Sequence, residues 1–186
     1  GGKFPKNIRA ALFGNRYDDL DVVNASGSIM FQLFDRLGYM CHYMRRYAEH
    51  RERVLQEIMD NYDTPLDRDT AKEMVIEVFF GGDGNVALSN QISIPRKGRN
   101  KLPMFIERLK KEYTEFATEL MDSCADQTSD DWMDNPYLDV HYWSQQKCES
   151  KGMPNWVGTF ASCLYQSEER KVLDSIISEV NEIAKE

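Results

Sequence analysis

Ala71-Lys72-Glu73-Met74-Val75-Ile76-Glu77-Val78-Phe79 places apolar side chains at Ala71, Met74, Val75, Val78 and Phe79. Those are positions i, i+3, i+4, i+7 and i+8, the spacing of one buried face of an α-helix. Asp67 has the chemistry of an N-cap before this stripe. Gly81-Gly82-Asp83-Gly84-Asn85 stops it. Three glycines also suit a phosphate cradle, but no Lys-Ser/Thr pair follows, so this is not a P-loop. A loop with C-cap chemistry is the stronger expectation.

The same periodicity extends outward. Ile29, Met30, Leu33, Phe34 and Leu37 predict a helix over 28–37, with Gly38 as its C-cap. Residues 40–62 predict one longer helix, with Met44, Tyr47, Ala48, Val54, Leu55, Ile58 and Met59 on one face; Asp63-Thr64-Pro65 breaks it. Val86 to Ile94 alternates imperfectly, as a short strand or hairpin arm would. Pro103 suits a helix first turn, and Phe105, Ile106, Leu109, Tyr113, Phe116 and Leu120 mark the helix itself. Residues 122–136 are acidic and polar and read as a connector; Asp130-Asp131 is most simply a solvated charge run. A short helix is expected over 137–149, and one long helix from Gly158 to the C-terminus. Six helical patterns and little strand define a mainly α fold, α+β only through a minor short sheet: a compact multi-helix single domain over 1–186.

At 186 residues, with 41% hydrophobic and 29% charged residues, the chain can bury a core and fold. It has no run of 18 apolar residues, so no membrane span is expected. It begins Gly1-Gly2-Lys3 without Met, so a fragment of a larger protein is expected, not a signal peptide. Cys41, Cys124, Cys148 and Cys163 form no C-x-x-C pair. That is a poor zinc pattern and suggests reduced thiols in an intracellular protein, cytoplasmic or nuclear.

The net charge of −8 counts against simple electrostatic nucleic-acid binding. A local basic loop nevertheless stands at Arg96, Lys97, Arg99 and Lys101, and its expected role is contact with nucleic-acid phosphates; the alternative is a solvated turn. Asp19 and Asp21 precede the apolar Val22-Val23. If residues 18–23 are extended, both carboxylates point to one face and can hold a divalent metal, Mg²⁺ being the expected ion. The alternative is a polar loop and helix cap, for which Asp, Asn and Ser are ordinary residues.

Four stretches in order resemble a polymerase-like region of replication proteins from large DNA viruses and related mobile elements. The first is Asp19-Leu20-Asp21-Val22-Val23-Asn24-Ala25, although Ser26-Gly27 stands where that family has His-Pro. The second is His50-Arg51-Glu52. The third is Arg68-Asp69-Thr70-Ala71-Lys72 with Phe79-Phe80-Gly81-Gly82. The fourth is Asn155-Trp156-Val157-Gly158-Thr159-Phe160 with Gln166 and Glu168 or Glu169. The resemblance implies a metal-dependent nucleotidyltransferase that handles nucleotides or nucleic acid. Asp19 and Asp21 would be catalytic metal ligands, and Arg68 and Lys72, four apart on one helix side, would bind triphosphate. Ala71, Val75 and Phe79 are expected on a buried opposite side. No second carboxylate strand follows Lys72, so the site would be incomplete within this chain. The competing reading is a non-catalytic helical module that binds a protein partner through aromatics such as Trp132, Tyr142, Trp143 and Trp156.

Overall fold

Local chemistry fixes the ends of the central helix. In the computed structural model, which describes residues 25–62, 66–87, 102–125, 135–152 and 155–183, the elements are α1 (Ala25–Arg36), α2 (His42–Glu49), α3 (Arg51–Met59), α4 (Arg68–Phe79), α5 (Met104–Ala125), α6 (Leu138–Lys151) and α7 (Trp156–Ile183). Asp67 caps α4 by accepting the Thr70 N–H at 2.8 Å and the Thr70 hydroxyl at 3.1 Å. At the other end Gly81 has φ +77°. The Gly82 N–H donates to Glu77 O at 2.8 Å and the Gly81 N–H to Val78 O at 2.9 Å. This is the Schellman closure, which needs a left-handed residue that glycine adopts without a Cβ penalty. Gly38, at φ +86°, closes α1 the same way, with the Tyr39 N–H on Phe34 O at 3.0 Å.

Ala71, Met74, Val75, Val78 and Phe79 are all buried, as their spacing predicts. Val75 and Phe79 lie seven residues beyond Arg68 and Lys72, however, so the two cations flank the buried stripe and do not stand opposite it. Lys72 is accordingly half-buried.

The expected single helix over 40–62 is broken at His50, whose backbone leaves helical geometry at φ −131°, ψ 39°. The break lets α2 pack on α1 and α5 while α3 packs on α4. The N-terminus of α2 is held from outside. Buried Glu112, on α5, accepts the Tyr43 N–H at 2.9 and 3.0 Å and the Met44 N–H at 2.9 Å. Cys41, at the cap position, makes no side-chain cap bond, so Glu112 supplies what a local Ser or Asp would.

Tyr113 stands in the middle of the core. Its ring meets Phe34 and Phe79 edge-on at 5.9 and 5.3 Å. Its hydroxyl donates towards Phe79 O at 3.1 Å and Ala161 O at 3.2 Å, which ties α5 to α4 and α7. Burial holds this phenol well above the ordinary tyrosine range.

Two further expectations are corrected, at the expected strand and at the expected acidic connector, whereas the long C-terminal helix forms over Trp156–Ile183. Val86 and Ala87, at the start of the expected strand, lie in a helical turn that begins at Asn85, and residues 88–94 lie outside the described residues. Glu77 accepts the Val86 N–H at 3.2 Å and the Ala87 N–H at 3.3 Å, which satisfies the start of that turn. The long C-terminal helix packs only through its first part: Phe160, Ala161, Leu164, Tyr165 and Glu168 are buried, whereas Leu173 and Ile177 face solvent. α5 also runs on through Asp122 into the expected acidic connector. The four thiols are free, and Asp130-Asp131 lies outside the described residues. No helix among the described residues is long and apolar enough to cross a membrane.

Candidate functional site

Arg68, the first residue of α4, does not pair with a neighbour on its own helix. Its Nε and Nη2 donate to the two oxygens of Glu52 on α3, at 3.0 and 2.6 Å. The fork geometry matches a carboxylate with two parallel bonds. Both partners are well exposed, with side-chain accessibilities of 46% and 67%. The hydrogen bond from Arg68 lowers the Glu52 carboxyl below the ordinary range, and the same bond raises Arg68.

Tyr47 and Arg51 complete this corner. The Tyr47 ring is buried, and burial raises its phenol, against the lowering effect of Arg51 and Arg68 beside it. The Nε of Arg51 is buried and has no hydrogen-bond partner. An unused buried guanidinium N–H is an open donor. Lys72 follows Arg68 by one turn of α4.

At the far end of α4, Gly81 meets the start of α7. Asn155 donates from Nδ2 to Gly81 O at 3.3 Å and accepts the Gly158 N–H at 2.9 Å on Oδ1, so one side chain caps α7 and ties it to α4. A β-carbon on Gly158 would lie 2.7 Å from Gly81 O, so the approach depends on both glycines. Beside this contact is a cavity of about 490 Å³ bordered by Glu77, Asp83, Lys110, Thr114 and Asn155. Burial raises the Asp83 carboxyl, but hydrogen bonds from Asn85 and the Lys110 charge outweigh it, for a net lowering. Glu77, Asp83 and Asn155 already hold backbone N–H groups of the surrounding turns. Those polar groups therefore serve the local chain geometry.

Of the expected site residues, Arg68 and Lys72 lie together on α4. Asp19, Asp21, Arg96, Lys97, Arg99 and Lys101 lie outside the described residues, as does Trp132. Among the described residues no group of three or more His, Cys, Asp or Glu side chains is placed to hold a metal ion. Arg51 and Glu52 stand in the second of the four stretches, and nothing in the sequence assigns either a role. Their common signal is a charged pair at the start of α3, which by itself does not reveal a partner on another helix.

Comparisons with protein-family models, with curated proteins and with solved structures return no match for this chain.

Proposed function

We propose that this chain handles nucleotides or nucleic acid with a divalent metal, as the polymerase-like part of a nucleotidyltransferase site inside the cell. The observation that carries the reading is the meeting of remote stretches along α4. The third of the four stretches that resemble replication proteins is bonded to the second at the start of α4 and to the fourth just past its end. Glu52 of the second bonds Arg68 of the third. Gly81, at the end of the third, is bonded by Asn155 of the fourth. Separations of 16 and 74 residues are bridged by these contacts. A site assembled from ordered motifs needs remote stretches held along a common element, which α4 provides. In this reading Arg68 and Lys72, with Arg51 beside Tyr47, neutralise phosphate charge, while Asp19 and Asp21 hold Mg²⁺.

The test is titration of the chain with a nucleoside triphosphate and Mg²⁺, repeated with Arg68→Ala plus Lys72→Ala. Loss of binding with unchanged far-ultraviolet dichroism is expected. Binding at full strength by the double variant sinks the proposed phosphate role.

A second reading, a helical module that docks a protein partner, is favoured by one observation. Tyr142, Trp143, Trp156, Leu173 and Ile177 are large apolar residues left exposed on α6 and α7. Trp143→Ala should then leave the urea midpoint unchanged. A loss above about 2 kcal/mol would make Trp143 part of the core and remove its docking role.

A further inference from the structure

Resting on the nucleotide-handling reading above, we propose that Glu52 is a built-in stand-in for phosphate: its carboxylate fills the guanidinium fork of Arg68, and a polyphosphate binds by displacing it. Carboxylate and phosphate oxygens present the same two-acceptor edge to an arginine fork. Glu52 occupies both bonding positions, at 3.0 Å from Nε and 2.6 Å from Nη2. The pair is open to solvent on both sides. Exposed pairs contribute little net stability, so exchange of one anion for another costs little.

A second guanidinium stands beside the fork. Arg51 hydrogen-bonds the Tyr47 side chain, and its Nε is buried. Arg51 and Arg68 both lie beside the Tyr47 hydroxyl. Arg51 and Arg68 both act on Glu52, while Asp69, next to Arg68 on α4, supplies a second carboxylate that does not occupy the fork. Glu52 sits at the second position of α3, so rotation of its side chain releases the fork without moving the helix. The ligand class is a polyphosphate, free or carried by a nucleoside.

The experiment is calorimetric titration of the whole chain and of Glu52→Gln with two probes, inorganic triphosphate and a nucleoside triphosphate with Mg²⁺. Glu52→Gln keeps the shape and removes the competing charge. Its Kd is expected to fall about three- to fivefold for both probes, with unchanged helix content. Equal Kd in both proteins overturns the inference and leaves the nucleotide reading standing. Weaker binding by Glu52→Gln also overturns it, because Glu52 would then be positioning Arg68 for the ligand. A gain confined to the nucleoside triphosphate overturns it by placing the effect on sugar or base. Binding of neither probe by either protein overturns the inference and the nucleotide reading together.

Discussion

Gly81 and Gly158 bring the end of α4 and the first turn of α7 into backbone contact, so close that a β-carbon on Gly81 would lie 2.3 Å from the Gly158 carbonyl oxygen. Gly81 also holds φ +77°. Gly81→Ala therefore meets a left-handed backbone, at about 1–2 kcal/mol, and a clash with main chain that cannot rotate away. A total loss of about 3 kcal/mol or more is expected in urea unfolding. Gly38→Ala separates the two effects. Gly38 has φ +86° but nothing within 4 Å of its added carbon, so only about 1–2 kcal/mol should go. Equal losses at the two positions would mean that the α4–α7 contact does not limit stability.

The Glu112 cap on α2 gives a second expectation. Two backbone donors, the buried Met44 N–H and the part-buried Tyr43 N–H, depend on one carboxylate from another helix. Glu112→Ala leaves them unpaired and should cost about 2–4 kcal/mol. Glu112→Gln retains one oxygen acceptor and should lose less. Near wild-type unfolding of Glu112→Ala would show that α2 does not need this cap.

The helices built on strong stripes were readable from the chain. Ile29, Met30, Leu33 and Phe34 predicted α1, and Ala71 to Phe79 predicted α4, because apolar spacing records which face is buried. Asp67 and Gly81 marked the ends of α4 through chemistry within a few residues. The break at His50 was not readable. Met44, Tyr47, Val54, Leu55 and Ile58 keep one helical phase across it, and the interruption reflects packing of the two halves on different neighbours. Apolar spacing also continued past Glu168 in α7, where Leu173 and Ile177 remain exposed. In the site, the i, i+4 placement of Arg68 and Lys72 is visible in the sequence, but Val75 and Phe79, seven residues on, return to the same side of the helix and not to the opposite one. The Glu52–Arg68 pair joins two helices, and no local pattern announces such a pair.

Cys41 carries a pH expectation. Burial, and then the nearby Glu112 and Asp35 charges, push its thiol up to about 12, against the lowering effect of Arg45. The folded chain therefore holds this proton more tightly than the unfolded chain. The stabilisation is intact below the ordinary thiol pKa of about 9 and is lost as pH rises towards 12. At pH 8 native Cys41 should have on the order of a thousandfold less thiolate than an unperturbed thiol. Mass-spectrometric alkylation should find it nearly unreacted in the native chain and labelled after denaturation. Equal labelling rates would contradict this environment.

Metal binding is testable at Asp19 and Asp21. Two carboxylates without substrate phosphate hold a divalent ion weakly. Paramagnetic broadening by Mn²⁺ should centre on resonances of residues 18–24. Broadening centred on the acidic 122–134 stretch would instead report diffuse charge attraction and remove the assigned metal site.

The basic loop predicts a salt effect in a chain whose net charge is −8. If Arg96, Lys97, Arg99 and Lys101 contact phosphates of single-stranded nucleic acid, each neutralised phosphate contributes about −0.7 to the slope of log Kobs against log salt. Lys97→Glu plus Arg99→Glu removes two such contacts. The slope should become shallower by about 1.4, and affinity should fall most at low salt, where counterion release is most favourable. A variant that lowers affinity equally at every salt concentration would point to lost shape or folding, not to phosphate contact. Unchanged affinity and unchanged slope would make residues 96–101 a solvated turn.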